Sequence, residues 1–267
     1  MPRDTALITG ASSGIGAFYA DRLARRGHDL VLVARDQARL DALAERLRRE
    51  TGVAVEVLAA DLADPAQLTV VERRLAEDGA IGMLINNAGI AGGGPIASGD
   101  VARYDAMVRL NVLAPTRLAA AIAPRLARRG SGTIVNLASI VALMPGGGLG
   151  ATYVASKSYM LLFSEALAAE LAPRGVRVQA VLPGATRTEI WERAGLDLDA
   201  FPPERVMAVE DLVDAALTGL DLGEAVTIPS LPDPVRWDAY LAARTAMAPD
   251  LSHRVPAARY RQSAAAD

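Results

Sequence analysis

The chain alternates short apolar runs with longer segments in which apolar residues recur every three to four positions. The short runs predict β-strands, and the ~3.6-residue period of the longer segments predicts amphipathic helices. Strands are expected over residues 5–9, 29–34, 53–59, 83–86, 133–138, 176–182 and 225–228. Helices are expected over residues 14–26, 36–50, 65–78, 101–129, 151–172 and 209–220.

The regular alternation of strand and helix indicates a parallel sheet with right-handed crossovers. The second run, residues 29–34, is apolar almost throughout, as is typical of a parallel strand that is buried on both faces. A length of 267 residues suits a single doubly wound α/β domain. We therefore expect an α/β fold in which helices flank one sheet.

Several segments depart from the regular pattern. Pro115 and Pro124 are expected to interrupt or bend the long helix over residues 101–129. Glycine-rich loops are expected at 89–99 and 144–150, and a mobile flap at 184–208. Residues 1–230 are assigned to the main domain, and residues 231–267 to an extension that covers the substrate cleft or a neighbouring subunit, with frayed last residues.

Composition excludes several classes of function. A formal net charge of −3 gives no basic footprint for nucleic acid. The absence of cysteine excludes disulfides and thiol catalysis, and two distant histidines do not favour a metal site. No signal peptide is visible and no uninterrupted apolar run reaches ~18 residues, so a cytoplasmic protein without a membrane partner is expected.

A glycine-rich turn stands between the first strand and the first helix. Gly10, Gly14 and Gly16 would allow a tight turn and a close approach of backbone to a pyrophosphate, with helix N–H groups directed at the anion. The spacing is G-x-x-x-G-x-G rather than G-x-G-x-x-G, so the turn alone is a weak signal. Its position after a strand and before a helix predicts a dinucleotide site.

The end of the second strand bears on which dinucleotide binds. NAD sites usually carry an acidic residue there for the ribose 2′-hydroxyl, but this chain has Ala34 followed by Arg35. A guanidinium binds a phosphate through planar donors, so Arg35 favours NADP(H). NAD(H) stays possible if Arg35 is only a solvated surface charge, and Asp36 is expected to cap the next helix.

A hydroxyl, a phenol and an amine form the candidate catalytic group. Tyr153 and Lys157 are four residues apart and share one helix face, while Ser139 follows the strand at 133–138. Tyr153 would give a proton to a carbonyl oxygen that accepts hydride, and Ser139 would hold that oxygen. We expect the Lys157 cation to lower the pKa of the Tyr153 phenol. Taken singly, each residue also fits an ordinary structural role.

These residues, together with other motifs in order along residues 5–230, resemble the classical short-chain dehydrogenase/reductase family. The matching pieces are Thr9-Gly10-Ala11-Ser12-Ser13-Gly14-Ile15-Gly16, Asn86-Asn87-Ala88-Gly89, Asn111, Ser139, Tyr153-Val154-Ala155-Ser156-Lys157 and Pro183-Gly184. The resemblance implies a Rossmann fold with seven parallel strands, NAD(P) as cofactor, and a homotetramer or homodimer. It also implies that Asn111 anchors a water that relays protons to Lys157.

The resemblance further implies contacts along the cofactor. Asp61 would bind the adenine amine, Asn87 and Gly89 would line the adenosine ribose, and residues 183–188 would hold the carboxamide. The family often has an aliphatic residue where Thr186 stands, a mild departure. The full set of expected cofactor contacts is Gly10, Ser12, Ser13, Gly14, Ile15, Gly16, Arg35, Asp61, Leu62, Asn87, Ala88, Gly89, Tyr153, Lys157, Pro183, Gly184, Thr186 and Thr188.

Substrate specificity is expected to come from loops at the carboxyl ends of the strands. Ile140, Met144, Leu149 and Trp191 suggest an apolar pocket, and hence a hydrophobic ketone, aldehyde or secondary alcohol. The predicted function is an NADP(H)-dependent oxidoreductase that interconverts a carbonyl and an alcohol. The alternatives are an NAD-dependent alcohol dehydrogenase of the same fold and a non-catalytic regulator that senses dinucleotides.

Overall fold

In the computed structural model, which describes residues 4–92, 94–144, 149–195 and 197–261, the strands form one parallel sheet. The strands are β1 Thr5–Thr9, β2 Leu30–Ala34, β3 Val55–Ala59, β4 Ile81–Asn86, β5 Gly132–Leu137, β6 Val176–Val181 and β7 Val226–Thr227. Their order is β3-β2-β1-β4-β5-β6-β7. The chain thus builds outward in both directions from β1 and β4, and the predicted doubly wound seven-stranded fold is confirmed.

The helices lie between the strands along the chain and after the last strand. They are α1 Gly14–Arg25, α2 Gln37–Thr51, α3 Pro65–Glu77, α4 Val101–Val108, α5 Ala114–Arg129, α6 Ala151–Leu171, α7 Ile190–Arg193, α8 Val209–Leu222 and α9 Val235–Ala246. Most bounds lie within three residues of those expected from the periodicity. Three helices begin at an aspartate whose side chain accepts first-turn N–H groups: Asp36 at α2, Asp64 at α3 and Asp100 at α4.

The two faces of the sheet carry separate hydrophobic clusters. Buried residues of α1, α2 and α8 pack on one face, where Tyr19 and Leu40 are fully buried. Residues of α3, α5 and α6 pack on the other, where Leu75 and Ile122 are fully buried. Since ligands of such sheets bind at the carboxyl ends of the strands, the site is expected where β1, β4 and β5 end.

The stretch Val101–Arg129 is not one regular helix. A π-helical turn over Arg109–Leu113 separates α4 from α5, and Pro115 follows it in the first turn of α5. Pro124 lies inside α5 without ending it. By length and composition alone this stretch could span a membrane, but Leu118, Ile122 and Leu126 are buried against the sheet. These contacts identify it as a helix of the core.

The chain divides into two compact units, Met1–Ser230 and Leu231–Asp267. The second unit contains α9, in which no residue is buried. The rings of Trp237 and Tyr240 stack on α9 with centroids 5.1 Å apart, and the Arg244 guanidinium lies 5.8 Å from the Tyr240 centroid. The expected frayed end, residues 264–267, lies outside the described residues.

Candidate active site

Ser139, Tyr153 and Lys157 meet at the carboxyl end of β5. Ser139 is the second residue after this strand, and its Oγ donates to the carbonyl oxygen of Pro183 at 3.3 Å. Tyr153 and Lys157 lie one turn apart on the buried face of α6, with the Lys157 Nζ 5.8 Å from the Tyr153 ring centroid. The sequence prediction that these three side chains converge agrees with this geometry.

The Lys157 amine is held deep in the protein. The residue is 8% exposed, and its Nζ donates to the carbonyl oxygen of Leu137 at 2.8 Å. Burial lowers the pKa of Lys157 to about 8, because removal of water disfavours the ammonium form. The amine therefore changes charge close to working pH.

Tyr153 differs from the expectation in one respect. Its pKa is raised to about 12 rather than lowered, because burial disfavours the phenolate more than a hydrogen-bonding interaction with Ser139 favours it. The burial comes from the apolar cluster that Tyr153 forms with Ala91 and Met107. A phenol in this environment stays protonated and is a proton donor rather than a ready base.

Asn111 lies in the π-helical turn and is buried beside α6. Its amide exchanges two hydrogen bonds with the backbone of Ile90: Ile90 N–H donates to Oδ1 at 2.9 Å, and Nδ2 donates to Ile90 O at 2.8 Å. Nδ2 also donates to the Ser156 Oγ at 3.3 Å, and Ser156 donates to the carbonyl oxygen of Tyr153 at 2.7 Å. Asn111 thus joins the loop after β4 to the catalytic helix.

The glycine turn is closely packed against the end of β4. Gly10 and Gly14 have φ values of +66° and +52°, which suit glycine. The Asn87 amide nitrogen donates to the carbonyl oxygens of Thr9 and Gly10 at 2.9 and 3.2 Å. A Cβ on Gly16 would lie 2.5 Å from the same nitrogen and would overlap the Gly10 carbonyl oxygen. The turn therefore requires glycine at this position for packing alone.

The first turn of α1 has the features of an anion site. Ser13 occupies the N-cap position but its side chain makes no capping hydrogen bond, unlike the aspartates that cap α2, α3 and α4. The N–H groups at this end are left without helical partners, and the helix dipole is positive there. The partly exposed backbone of Gly10 and Gly14 next to these donors fits the pyrophosphate of a dinucleotide.

The residues expected at the adenosine end have different surroundings. Arg35 is exposed and has no ion-pair partner among the described residues. One carboxylate oxygen of Asp61, Oδ1, accepts from Ala63 N–H at 2.9 Å, so this residue orders the loop after β3, while Asp64 caps α3. The Leu62 side chain is buried in the core, which leaves only its backbone for a ligand. Ala88 packs against the same core and precedes Gly89, which lies close to Asn111 Oδ1.

The segment expected to hold the carboxamide is fixed at both ends. Pro183 O accepts from the backbone N–H of Ile140 at 3.0 Å, and Thr186 pairs with Met207 in an isolated bridge. Thr186 Oγ1 donates to Gly184 O at 3.1 Å. Thr188 lies on the glycine turn, since a Cβ on Gly14 would be 3.3 Å from its methyl carbon. The base of the flap thus faces the anion site.

The four predicted pocket residues occupy different places. Leu149 packs in the Tyr153 cluster, and Ile140 lies beside Gly184. Met144 is 68% exposed and does not belong to that cluster. Trp191 lines a cleft of about 600 Å³ with Gly14 and Phe18, where its Nε1 donates to Thr186 O at 2.8 Å. Of the other loop positions expected to set specificity, residues 93, 145–148 and 196 lie outside the described residues.

Comparison with known sequences identifies the family. The profile of the family described as short chain dehydrogenase matches residues 4–199. The chain is a short-chain dehydrogenase. A relative of this dehydrogenase, an uncharacterized oxidoreductase of Staphylococcus saprophyticus, is 35% identical over 229 residues, which are 84% of this chain and 93% of the relative.

Two solved structures are similar to the dehydrogenase over almost all of its length. A short-chain dehydrogenase from Sphingobium yanoikuyae in complex with NADPH is 55% identical, with a TM-score of 0.94 over 97% of this chain and all of that one. The bulky-bulky ketone specific alcohol dehydrogenase from Comamonas testosteroni is 48% identical, with a TM-score of 0.90 over 97% and 99%. The predicted enzyme class, an oxidoreductase acting on CH–OH and C=O groups, is confirmed.

Several residues at the site of the dehydrogenase had no role assigned from the sequence. Ser156 was named only as part of the motif around Tyr153 and Lys157. In the structure its hydroxyl links Asn111 to the backbone of Tyr153. The i, i+3 spacing from Tyr153 could have indicated this, because it places Ser156 on the same face of α6. The apolar contacts of Ile90 and Ala194 with the Tyr153 cluster come from distant segments and carry no local signal.

Proposed function

We propose that this short-chain dehydrogenase reduces hydrophobic ketones with NADPH and that Tyr153 is the proton donor. The observation that carries the proposal is the meeting of Ser139, Tyr153 and Lys157 at the carboxyl end of β5, with Tyr153 part of an apolar cluster. The group combines a protonated phenol, a hydroxyl and a titratable amine. These are the parts needed to deliver a proton to a carbonyl oxygen as negative charge develops on it.

Bound NADPH would supply the hydride, and this chain's residues would do the rest. Ser139 would donate to the substrate oxygen and keep it near the phenol of Tyr153. Because burial keeps that phenol protonated, it is ready to give its proton to the new alkoxide. The Lys157 ammonium, fixed by Leu137 O, favours the phenolate that remains. In the oxidative direction the same phenol would have to lose its proton first.

The preference for NADPH rests on the end of β2. Arg35 is exposed there and lacks a protein partner among the described residues, so its guanidinium is free to bind a 2′-phosphate. No acidic side chain stands at Ala34 to hold a ribose hydroxyl. The complex of the Sphingobium yanoikuyae enzyme with NADPH supports the same assignment.

An apolar substrate is favoured by the surroundings of Tyr153. Leu149 and Val141, together with Ile190 and Ala194 of the flap, pack against the apolar cluster that contains Tyr153. Contacts of this kind stabilise a ligand by burial of apolar surface and offer no charge for a carboxylate. The ketone specificity in the name of the Comamonas testosteroni enzyme supports a ketone with two large substituents.

The decisive experiment combines cofactor binding with turnover. We would titrate the fluorescence of NADPH and NADH with wild-type protein and with Arg35→Asp, then assay a ketone panel with Tyr153→Phe as the matched variant. We expect tighter NADPH binding that Arg35→Asp abolishes, and turnover that falls ~10²- to 10⁴-fold in Tyr153→Phe. Tighter NADH binding would favour alcohol oxidation with NAD. Binding without turnover of any ketone or alcohol would favour a sensor of dinucleotides.

We also propose that the protein is a homo-oligomer, a dimer or a tetramer. Apolar side chains remain exposed on the π-helical turn and on α6, among them Leu113 at 42% and Leu162 at 56%. The rings of Tyr159 and Phe163 stack beside them with centroids 5.6 Å apart. Burial of this surface against a second copy would stabilise an assembly. Light scattering of wild-type protein and Leu162→Glu tests this, and a monomeric wild type contradicts it.

A further inference from the structure

An ion pair joins the flap to the helix that follows the end of β2. Arg39, in the first turn of α2, donates from Nη1 to both carboxylate oxygens of Glu189 at 3.0 Å. The two residues are 150 positions apart, and Glu189 directly precedes α7. The pair therefore connects the part of the chain proposed to recognise the adenosine end with the segment proposed to cover the nicotinamide end.

The neighbours of this pair belong to the phosphate-binding surface. Thr188, next to Glu189, lies on Gly14 of the glycine turn. Arg39, in the first turn of α2, is four residues after Arg35, the residue proposed to bind the 2′-phosphate. The Glu189 carboxylate is thus paired with the Arg39 guanidinium near the place where the proposed function puts the 2′-phosphate.

The arrangement leaves the pair open to displacement. Arg39 and Glu189 have side chains 48% and 43% exposed, and ion pairs of this kind contribute little free energy. Arg39 Nη2 has no acceptor among the described residues, and its Nε lies 3.4 Å from Asp36 Oδ2. A guanidinium recognises phosphate and carboxylate through the same pairs of N–H donors. The pKa of Glu189 is held low, first by the hydrogen bond from Arg39, so Glu189 is an anion at neutral pH.

We propose that Glu189 is a specificity-determining residue that competes with the cofactor 2′-phosphate for Arg39. This inference rests on the proposed preference for NADPH. Glu189 weakens the binding of NADPH because the 2′-phosphate must take over the Arg39 guanidinium from the carboxylate. NADH lacks this phosphate and leaves the pair intact. Glu189 therefore reduces the preference of the protein for NADPH over NADH. Glu189 acts through Arg39 and takes no part in the transfer of hydride or proton.

The test is a set of fluorescence titrations with NADPH and NADH on the full chain. Glu189→Gln removes the charge but keeps the shape of the side chain. Glu192→Gln is the matched control, because Glu192 is exposed on the same short helix and has no ion-pair partner among the described residues. Arg39→Gln and the double variant Glu189→Gln/Arg39→Gln complete the cycle. Thermal unfolding of each variant verifies that it is folded.

We expect Glu189→Gln to lower the Kd for NADPH about two- to fivefold and to leave the Kd for NADH unchanged. Glu192→Gln is expected to change neither constant. In the Arg39→Gln background the substitution of Glu189 should not change the Kd for NADPH further, because the guanidinium for which the carboxylate and the phosphate compete is absent. The gain in Glu189→Gln should also shrink as ionic strength rises, because both charges are exposed.

Three results would overturn the inference. An equal change for both cofactors would mean that the pair only fastens the flap. Weaker binding of NADPH by Glu189→Gln would mean that the carboxylate assists the cofactor. Glu189 also pairs with Arg193, so an effect that persists without Arg39 would mean direct repulsion of phosphate or an action through Arg193. Failure of the proposed function gives a different result: the wild type would bind NADH more tightly than NADPH, and Arg35→Asp would not change the binding of NADPH. Competition by 2′,5′-ADP against 5′-AMP gives a readout that does not involve the nicotinamide.

Discussion

The Nζ of Lys157 donates to the carbonyl oxygen of Leu137 at 2.8 Å, two residues before Ser139 on the same strand end. Strand β5 therefore fixes the positions of both the amine and the hydroxyl of the active site. Because α6 carries Tyr153 one turn before Lys157, this single hydrogen bond also limits the position of the phenol. The amine is buried, and burial brings its pKa to about 8.

The titration of Lys157 predicts how reduction depends on pH. Below about pH 8 the amine is an ammonium that stabilises the Tyr153 phenolate, and above this value the charge is lost. We expect kcat/KM for ketone reduction to fall as pH rises through about 8. The measurement is a pH–rate profile of the wild type with saturating NADPH.

Lys157→Arg separates the charge from the titration. An arginine stays protonated throughout this range, so any residual activity should no longer fall near pH 8. Lys157→Met should lose activity at every pH, on the order of 10²-fold or more. A wild-type profile that is flat from pH 7 to pH 10, or a fall near pH 8 that persists in Lys157→Arg, would assign the titration to another group.

Ser156 is expected to position the catalytic helix. Its Oγ donates to Tyr153 O and accepts from Asn111 Nδ2. Ser156→Ala should lower kcat about three- to tenfold with little change in KM, because the loss of its two hydrogen bonds, ~1 kcal/mol each, loosens the phenol without removing it. Steady-state kinetics measure this effect.

A neighbouring serine provides the control for Ser156. Ser158 Oγ donates to Val154 O at 3.0 Å on the same helix and has no contact with Asn111. Ser158→Ala should reduce the free energy of unfolding by a similar amount, yet leave kcat unchanged. Ser156→Thr, which keeps the hydroxyl, should recover part of the lost rate. If both alanine variants changed kcat equally, Ser156 would have a structural role only.

Local patterns along the chain predicted the elements of the fold and the candidate site residues Ser139, Tyr153 and Lys157, which the structure brings together. The apolar runs located the ends of each strand within three residues, because a parallel strand that is buried on both faces is apolar along its whole length. The π-helical turn escaped prediction. Its extra residue shifts the period before Pro115, and Asn111 in this turn bonds to Ile90, a contact over 21 positions that no local pattern indicates.

Long-range contacts account for what the sequence could not predict. The Lys157 cation near Tyr153 suggested a lowered phenol pKa, but burial raises this pKa by more than the hydrogen-bonding interaction with Ser139 lowers it. The flap residues Ile190 and Ala194 pack against the apolar cluster that contains Tyr153. Likewise, nothing near Glu189 in the sequence indicates Arg39 as its partner. Composition and periodicity report local structure, whereas these effects depend on how distant segments pack.

Gly16 is predicted to be indispensable for the packing of the dinucleotide turn. A Cβ there would overlap the Gly10 carbonyl oxygen and approach Asn87 Nδ2 to 2.5 Å. Gly16→Ala should therefore displace the turn, lower the free energy of unfolding by ~1–3 kcal/mol and weaken both NADPH and NADH at least tenfold. Gly79→Ala is the control, because nothing lies within 4 Å of a Cβ at that position. An alanine at 16 that binds cofactor normally would contradict this account of the turn.

Asp21 is a buried charge that links the two helices nearest the cofactor. Its side chain on α1 is 10% exposed and accepts from Arg25 at 2.9 Å, from Arg22 at 3.0 Å and from Arg46 of α2 at 2.9 Å. Burial alone would raise the pKa of this carboxyl, but the hydrogen bonds from Arg25, Arg46 and Arg22 together bring it below its usual value. The ionised carboxylate is therefore stabilised by the folded state.

Replacement of this carboxylate should destabilise the protein in a pH-dependent manner. Asp21→Asn leaves three guanidinium groups without their shared acceptor, and we expect the free energy of unfolding at pH 7 to fall by ~1–3 kcal/mol.

Because the folded pKa is lower than the unfolded value of ~3.9, the stabilisation is complete above that value and is lost as pH falls through the folded pKa. Urea denaturation at pH 7 and pH 3 should therefore show the difference between wild type and Asp21→Asn shrinking in acid. Asp41→Asn, at an exposed carboxylate whose only donor among the described residues is Gln37, should change stability by less than ~0.5 kcal/mol at either pH. A difference for Asp21→Asn that is the same at both pH values would mean that the asparagine disturbs packing rather than charge.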